Sequence, residues 1–163
     1  IALHPSRVKL ISDGAARLGI HCLPTAAGDA GVFNPELGLA DRVLCDVPCA
    51  GLGVIRRKPE IRYKPLATVR ELPRLQYAIL ENGAALVKPG GLLLYATCTL
   101  NPAENGAVAS RFLQEHPEFE PAPFRLPGVT RLVEEPPHPI TLLPVNGGSD
   151  GFYAARFRRK GDL

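Results

Sequence analysis

Four cysteines, at positions 22, 45, 49 and 98, carry the nucleophilic potential of this 163-residue chain. None forms a Cys-x-x-Cys pair, and neither they nor His4, His21, His116 and His138 have ligand spacing, so no metal is expected. Cys49 and Cys98 lie in settings that packing alone does not need. Pro48 before Cys49, with Gly51 and Gly53 after it, makes a rigid loop in which backbone can approach closely. Cys98 follows an apolar run and precedes Asn101-Pro102-Ala103-Glu104, which reads as N-cap, first-turn proline and an acid at the third helical position. A helix N-terminus stabilises a thiolate. An ordinary thiol is about 3% ionised at pH 7, so full activation takes roughly 2 kcal/mol, within reach of a helix terminus and a nearby base. Asp46 closes the segment that leads into the Cys49 loop. Cys22 and Cys45 read as inert packing, the commoner fate of cysteine.

Alternating strands and helices must position these groups. Ile1-Ala2-Leu3 reads as a strand end, and Pro5 opens a helix with Val8, Leu10, Ile11, Ala15 and Leu18 on its buried face and Gly19 as C-cap. Residues 22–26 suit a short edge strand, and 28–39 a loop. A short buried strand covers 42–46. Helical spacing over 69–86 puts Leu72, Leu75, Ile79, Ala85 and Leu86 on the buried stripe, and 88–91 is a stop and turn. The continuous apolar run 92–97 suits the inside of a parallel sheet. A helix follows to about residue 115. Residues 117–149 hold eight prolines and suit loops with one weak strand, and 152–157 form a closing strand, antiparallel if at a sheet edge. This pattern predicts an α/β layered domain with a mostly parallel sheet. A right-handed crossover sets neighbouring strands about 4.8 Å apart, and ligands bind beyond their carboxyl ends. Asp46, Cys49 and Cys98 therefore converge on one cleft.

Composition narrows the class. The length suits one domain over 1–163, and 45% apolar with 21% charged residues excludes disorder. A formal charge of +3 permits an anionic partner without demanding one. No apolar run nears the ~20 residues of a membrane span, so no membrane association is expected, and with no leader the thiols read as reduced and cytoplasmic. The chain starts at Ile1 and contains no methionine, so it is expected to be part of a longer product.

The run from Asp46 through Val47-Pro48-Cys49-Ala50-Gly51-Leu52-Gly53 to Arg56-Arg57-Lys58-Pro59-Glu60-Ile61 resembles motif IV of the Sun/RsmB family of RNA (cytosine-5) methyltransferases. Tyr95-Ala96-Thr97-Cys98-Thr99-Leu100 with Glu104-Asn105 resembles its motif VI. Leu75-Gln76 and Leu86-Val87-Lys88-Pro89-Gly90-Gly91 resemble the connecting helix and turn, and Gly148-Ser149-Asp150-Gly151-Phe152-Tyr153 the closing motif. The Arg-Arg-Lys-Pro run is most similar to the bacterial branch that methylates 16S ribosomal RNA. The resemblance implies a Rossmann-like methyltransferase fold, S-adenosylmethionine as cofactor and 16S ribosomal RNA as partner. It implies Cys98 as the nucleophile, Cys49 in elimination of the adduct, and Asp46 on the N3/N4 edge of the cytosine.

Arg56, Arg57, Lys58, Arg62 and Lys64 alone read as a solvated loop, but next to a base-binding loop they are expected to contact phosphate. Arg156, Arg158, Arg159 and Lys160 carry the same expectation more weakly. Low aromatic content (6%) argues against a stacking platform. The family's glycine-rich cofactor loop has no counterpart in this sequence. Leu3-His4-Pro5 resembles the second strand and its helix, with Ala2 where the family has a ribose-binding acid. Only Asp29 and Asp46 match cofactor-binding acids. The chain thus resembles the C-terminal part of the catalytic domain, without the family's first strand, and alone is expected to be inactive. Two other readings stand beside this one: a non-catalytic RNA-binding fragment or pseudoenzyme, and a thiol redox protein using Cys49 and Cys98. The second explains neither the basic loop nor Asp46.

Overall fold

The computed structural model describes residues 1–124, 139–144 and 149–161. Helix α1 (Pro5–Arg17) starts on its proline, and the chain leaves it through Gly19 at φ +69°. Its expected apolar face is open: Leu10 is 71% exposed and Leu18 63%, and only Ala15 is buried. Residues 22–26 form no strand. A lone parallel bridge joins Ala2 to Ala27 instead.

The remaining elements run β1 (Ala40–Asp46), α2 (Leu66–Ala85), β2 (Val87–Thr97), α3 (Gly106–Glu115), β3 (Phe119–Pro121), β4 (Ile140–Leu142) and β5 (Phe152–Arg159). The sheet order is β1-β2-β5-β3, with β4 also pairing β5. β1 and β2, joined through α2, pair in parallel, whereas every ladder of β5 is antiparallel. The expected mostly parallel sheet is therefore a mixed one. Its cause lies in the α3 connection, which returns the chain so that β3 runs with β2 but one strand-width away. β5 fills that gap in the opposite direction, so it is antiparallel as expected yet interior to the sheet. The expected turn at 88–91 is an excursion within β2. Ala40 faces Val87 while Arg42 already faces Leu92, and Gly90 takes φ +77° to make the detour.

The core lies between one sheet face and α2 and α3. Leu93 and Tyr95 of β2, Ala155 and Phe157 of β5, Leu80 and Ala84 of α2 and Phe112 of α3 are all buried in it. Each large side chain there contributes roughly 1.5–3 kcal/mol by leaving water. The stripe that α2 buries is Gln76, Tyr77, Leu80, Gly83 and Ala84, about one residue round from the expected one, and Leu75 and Ala85 are exposed. Close approach decides this rotation. A Cβ on residue 83 would lie 2.5 Å from the Cys45 sulfur, so the helix turns its smallest residue to β1. On the opposite sheet face Leu44 is exposed, and Leu92 and Leu94 are half-buried beside Arg42 and Arg156.

Candidate active site

The carboxyl ends of β1 and β2 hold the reactive groups. Asp46 sits level with Ala96, and the amide of Val47 donates to the Ala96 carbonyl at 3.2 Å, so pairing continues one residue beyond β1. The chain then turns through Pro48 to Cys49, and β2 ends one residue before Cys98. The two sulfurs are 3.0 Å apart, both half-buried.

Glycines permit this meeting. The Gly53 amide donates to the Cys98 carbonyl at 3.0 Å, and the Gly53 carbonyl accepts from the Gly151 amide at 2.8 Å. A Cβ on residue 53 would fall 2.0 Å from the Gly151 oxygen and 2.9 Å from the Cys98 oxygen. Three segments distant in sequence thus close on one residue that has no room for a side chain. Gly51, at φ +80°, turns the loop toward this contact.

Burial pushes the Cys49 thiol up to about 12, helped by its hydrogen bond with Cys98. Cys49 therefore keeps its proton, and either sulfur can donate in the pair. Helix α3 begins only at Gly106, because residues 102–105 form a turn in which the Glu104 amide donates to Asn101 (3.0 Å) and the Asn105 amide to Pro102 (3.3 Å). The expected first helical turn after Cys98 is therefore a non-helical turn, and α3 starts four residues later than its expected first residue, Pro102. The Glu104 carboxylate, expected to cap a helix, turns into the core.

Asp46 is exposed and borders a cavity of about 140 Å3 lined by Ala30, Val32, Val43, Ile79 and Asn82. Asn82 holds this wall by donating to the Ala30 carbonyl at 3.0 Å. Asp29 is exposed beside it, with Oδ1 accepting from the Gly31 amide at 2.8 Å. Aliphatic walls with the Asp46 carboxylate at the rim suit a flat heteroaromatic ring with exocyclic donors.

The basic loop divides. Arg57 Nε meets Asp150 at 2.7 Å and Arg56 at 3.6 Å, and Asp150 is nearly buried, so both arginines tie the loop to the closing motif. Lys58 and Arg62 are exposed and without an ion-pair partner among the described residues. Lys64 turns inward, donating to the carbonyls of Ala50 (2.9 Å) and Cys49 (3.4 Å). Arg156, Arg158, Arg159 and Lys160 all donate to backbone carbonyls, those of Ala122, Gly90, Val87 and Pro117, so they clasp the sheet. Cys45 is buried, as expected, but Cys22 is exposed.

The family described as 16S rRNA methyltransferase RsmB/F matches residues 1–158. The chain belongs to the RsmB/F family. Against the probable ribosomal RNA small subunit methyltransferase B of Bacillus subtilis it is 44% identical, over 98% of this chain and 37% of that protein. Against the tRNA (cytosine(34)-C(5))-methyltransferase of Drosophila melanogaster it is 38% identical, over 68% of this chain and 16% of that protein. A methyltransferase homolog protein from Pyrococcus horikoshii superposes with a TM-score of 0.77 at 27% identity, over 96% of this chain and 51% of that one. The RsmB/F chain thus spans little more than a third of the B. subtilis relative's length. No helix among its described residues is long and apolar enough to cross a membrane.

Within this RsmB/F framework, residue chemistry alone does not mark Gln76, Glu104 or Asp150 as site supports, and Lys64, expected on phosphate, holds the Cys49 loop instead. Glu104 and Asp150 lie inside the matched motifs, which was a usable signal. Gln76 lies inside one as well, in Leu75-Gln76, and is an amide on an otherwise apolar helix face.

Proposed function

We propose that the protein carrying this chain is an S-adenosylmethionine-dependent RNA methyltransferase that methylates C5 of a cytidine in 16S ribosomal RNA through a covalent adduct on Cys98. The observation that carries the reading is the pair of thiols, 3.0 Å apart, at the carboxyl ends of parallel strands with Asp46 beside them. The names of the relatives support ribosomal RNA of the small subunit and carbon 5 of cytosine.

In this mechanism the cytosine leaves its stack to reach the cleft. The Cys98 sulfur bonds to C6, and the C5=C6 electron pair shifts so that C5 becomes the nucleophilic carbon of an enamine. Asp46 hydrogen-bonds the N3/N4 edge, where proton transfer strengthens the electrophile. The cavity by Asp29 and Asp46 fits the adenosine end of S-adenosylmethionine, which when bound supplies the electrophilic methyl group. Elimination then needs the C5 proton removed. A thiol that stays protonated is a poor base, so Cys49 acts through a water that takes this proton, while its own S–H supports the departing sulfur. The pair from the C5–H bond restores C5=C6, and the C6–S bond breaks to release Cys98 as a thiolate. Lys58 and Arg62 contact phosphate, with Arg56 and Arg57 adding charge behind them.

The test is trapping with 5-fluorocytidine RNA and the full-length protein. The adduct should map to Cys98 and vanish in Cys98→Ala. Full activity in Cys98→Ala without any adduct would overturn the assignment.

The second reading, an RNA-binding fragment without catalysis, is favoured by one feature: these residues include no glycine-rich loop for the methionine end of the cofactor. Calorimetry of the 163-residue chain with S-adenosylhomocysteine separates the two, since micromolar binding would contradict the second.

A further inference from the structure

The residues flanking each sulfur are held by a buried polar network that the mechanism above leaves unused. Pro48 and Ala50, on either side of Cys49, are tied separately. The Ala50 amide donates to Glu104 Oε2 at 2.8 Å, and Gln76 Nε2 donates to the Pro48 carbonyl at 2.9 Å and to the same Glu104 oxygen at 2.8 Å. Asn101 Nδ2 donates to the other carboxylate oxygen at 2.9 Å. Thr97 and Thr99, on either side of Cys98, are tied by the next residue along. Thr97 Oγ1 donates to Asn105 Oδ1 at 2.7 Å, and Asn105 Nδ2 donates to the Thr99 carbonyl at 2.9 Å.

Such a network is expensive. Gln76 and Glu104 are completely buried, Asn105 nearly so, and Glu104 has no ion-pair partner among the described residues. Gln76 Oε1 is buried without a hydrogen-bond partner. A buried carboxylate and an orphaned amide oxygen both cost stability, and an apolar cluster would hold the fold more cheaply. The geometry explains the choice of groups. Three donors converge on residue 104, and only a group that accepts everywhere satisfies all three. Glutamine would set its own NH2 against at least one of them.

We propose that Glu104 and Asn105 are positioning residues that set the two sulfurs independently, Glu104 with Gln76 holding Cys49 and Asn105 with Thr97 holding Cys98. The inference rests on the adduct reading above, and it predicts that the two halves fail at opposite steps. Loosening the Cys49 half leaves adduct formation alone and slows its resolution. Loosening the Cys98 half slows formation.

The experiment uses the full-length protein and separates the steps. 5-Fluorocytidine RNA reports the rate at which the adduct appears, and unmodified RNA, quenched on a denaturing gel, reports its lifetime. Glu104→Gln and the gentler Gln76→Met should form the adduct at the wild-type rate and hold it about 10- to 100-fold longer, the scale of a misplacement near 1 Å. Asn105→Asp and the gentler Thr97→Val should slow its appearance by a similar factor without accumulation. The Michaelis constant for RNA should be unchanged in all four. If all four slow both steps alike, in step with lost thermal stability, the network is merely structural and the inference falls. Normal resolution in Glu104→Gln and Gln76→Met overturns it as well. Wild-type protein that never traps at Cys98 overturns the adduct reading itself, and this inference with it.

Discussion

At the residue scale, the roles proposed for the two half-buried cysteines make separate predictions. On the release role proposed for Cys49, Cys49→Ala should accumulate covalent RNA–protein complex on unmodified RNA, whereas Cys98→Ala should show none on the same denaturing gel. Cys45 makes a different prediction. Burial raises its thiol from 9.0 to about 12, so the folded chain keeps a proton that the unfolded chain has released. Stability from this group is intact below pH 9 and falls as pH rises toward 12, by about 2 kcal/mol at about pH 10.5. In urea unfolding, Cys45→Ala should lose about 2 kcal/mol less stability than the unsubstituted chain between pH 7 and about pH 10.5. Cys49, Cys98 and Asp46 were legible in the sequence because reactive residue types stood at strand ends beside glycine and proline. Their supports were not, since a buried glutamate or glutamine looks the same in sequence as a solvated one until its donors are located.

At the element scale, the site depends on packing that tolerates little change. Gly53→Ala should destabilise the domain by at least about 2 kcal/mol in urea unfolding, because its methyl group would meet two backbone carbonyls that cannot rotate away. Phe112→Ala, emptying a fully buried ring that stacks near Phe119 and Phe157, should cost about 3–5 kcal/mol by the same measurement. The apolar run of β2 and the helical spacing of α2 gave those elements away. The rotation of α2 did not show, because a hydrophobic count weighs Leu75 above Gly83, whereas β1 selects for the absence of a side chain. The start of α3 differs from the one the sequence predicts for a related reason. Asn101-Pro102 has cap chemistry, but the pull of Ala50 and Gln76 on Glu104 unwinds the first expected turn.

At the scale of the whole molecule, the α/β layering was legible and the strand directions were legible in part, since nothing local to β5 says which gap it will enter. The open face of α1, with the exposed Leu44 on β1, was hidden because burial depends on what lies opposite, not on the helix's own pattern. A polypeptide of these 163 residues alone should transfer no methyl group in a tritium-release assay, because its residues match only the adenosine end of the cofactor, and measurable turnover would reverse that expectation. The interior place of β5 carries a further consequence, in the order of events during synthesis. The ribosome delivers β5 after the strands on both of its sides, β2 and β3. Until then the sheet has a slot where its middle should be, and Gly151 has not reached Gly53. At about 5–20 residues per second, the nascent domain waits a few seconds with its two cysteine loops able to meet but not yet clasped by residue 151. A chain stalled before residue 150 thus carries Asp46, Cys49 and Cys98 on paired β1 and β2 but lacks the Gly151 amide that closes the contact at Gly53.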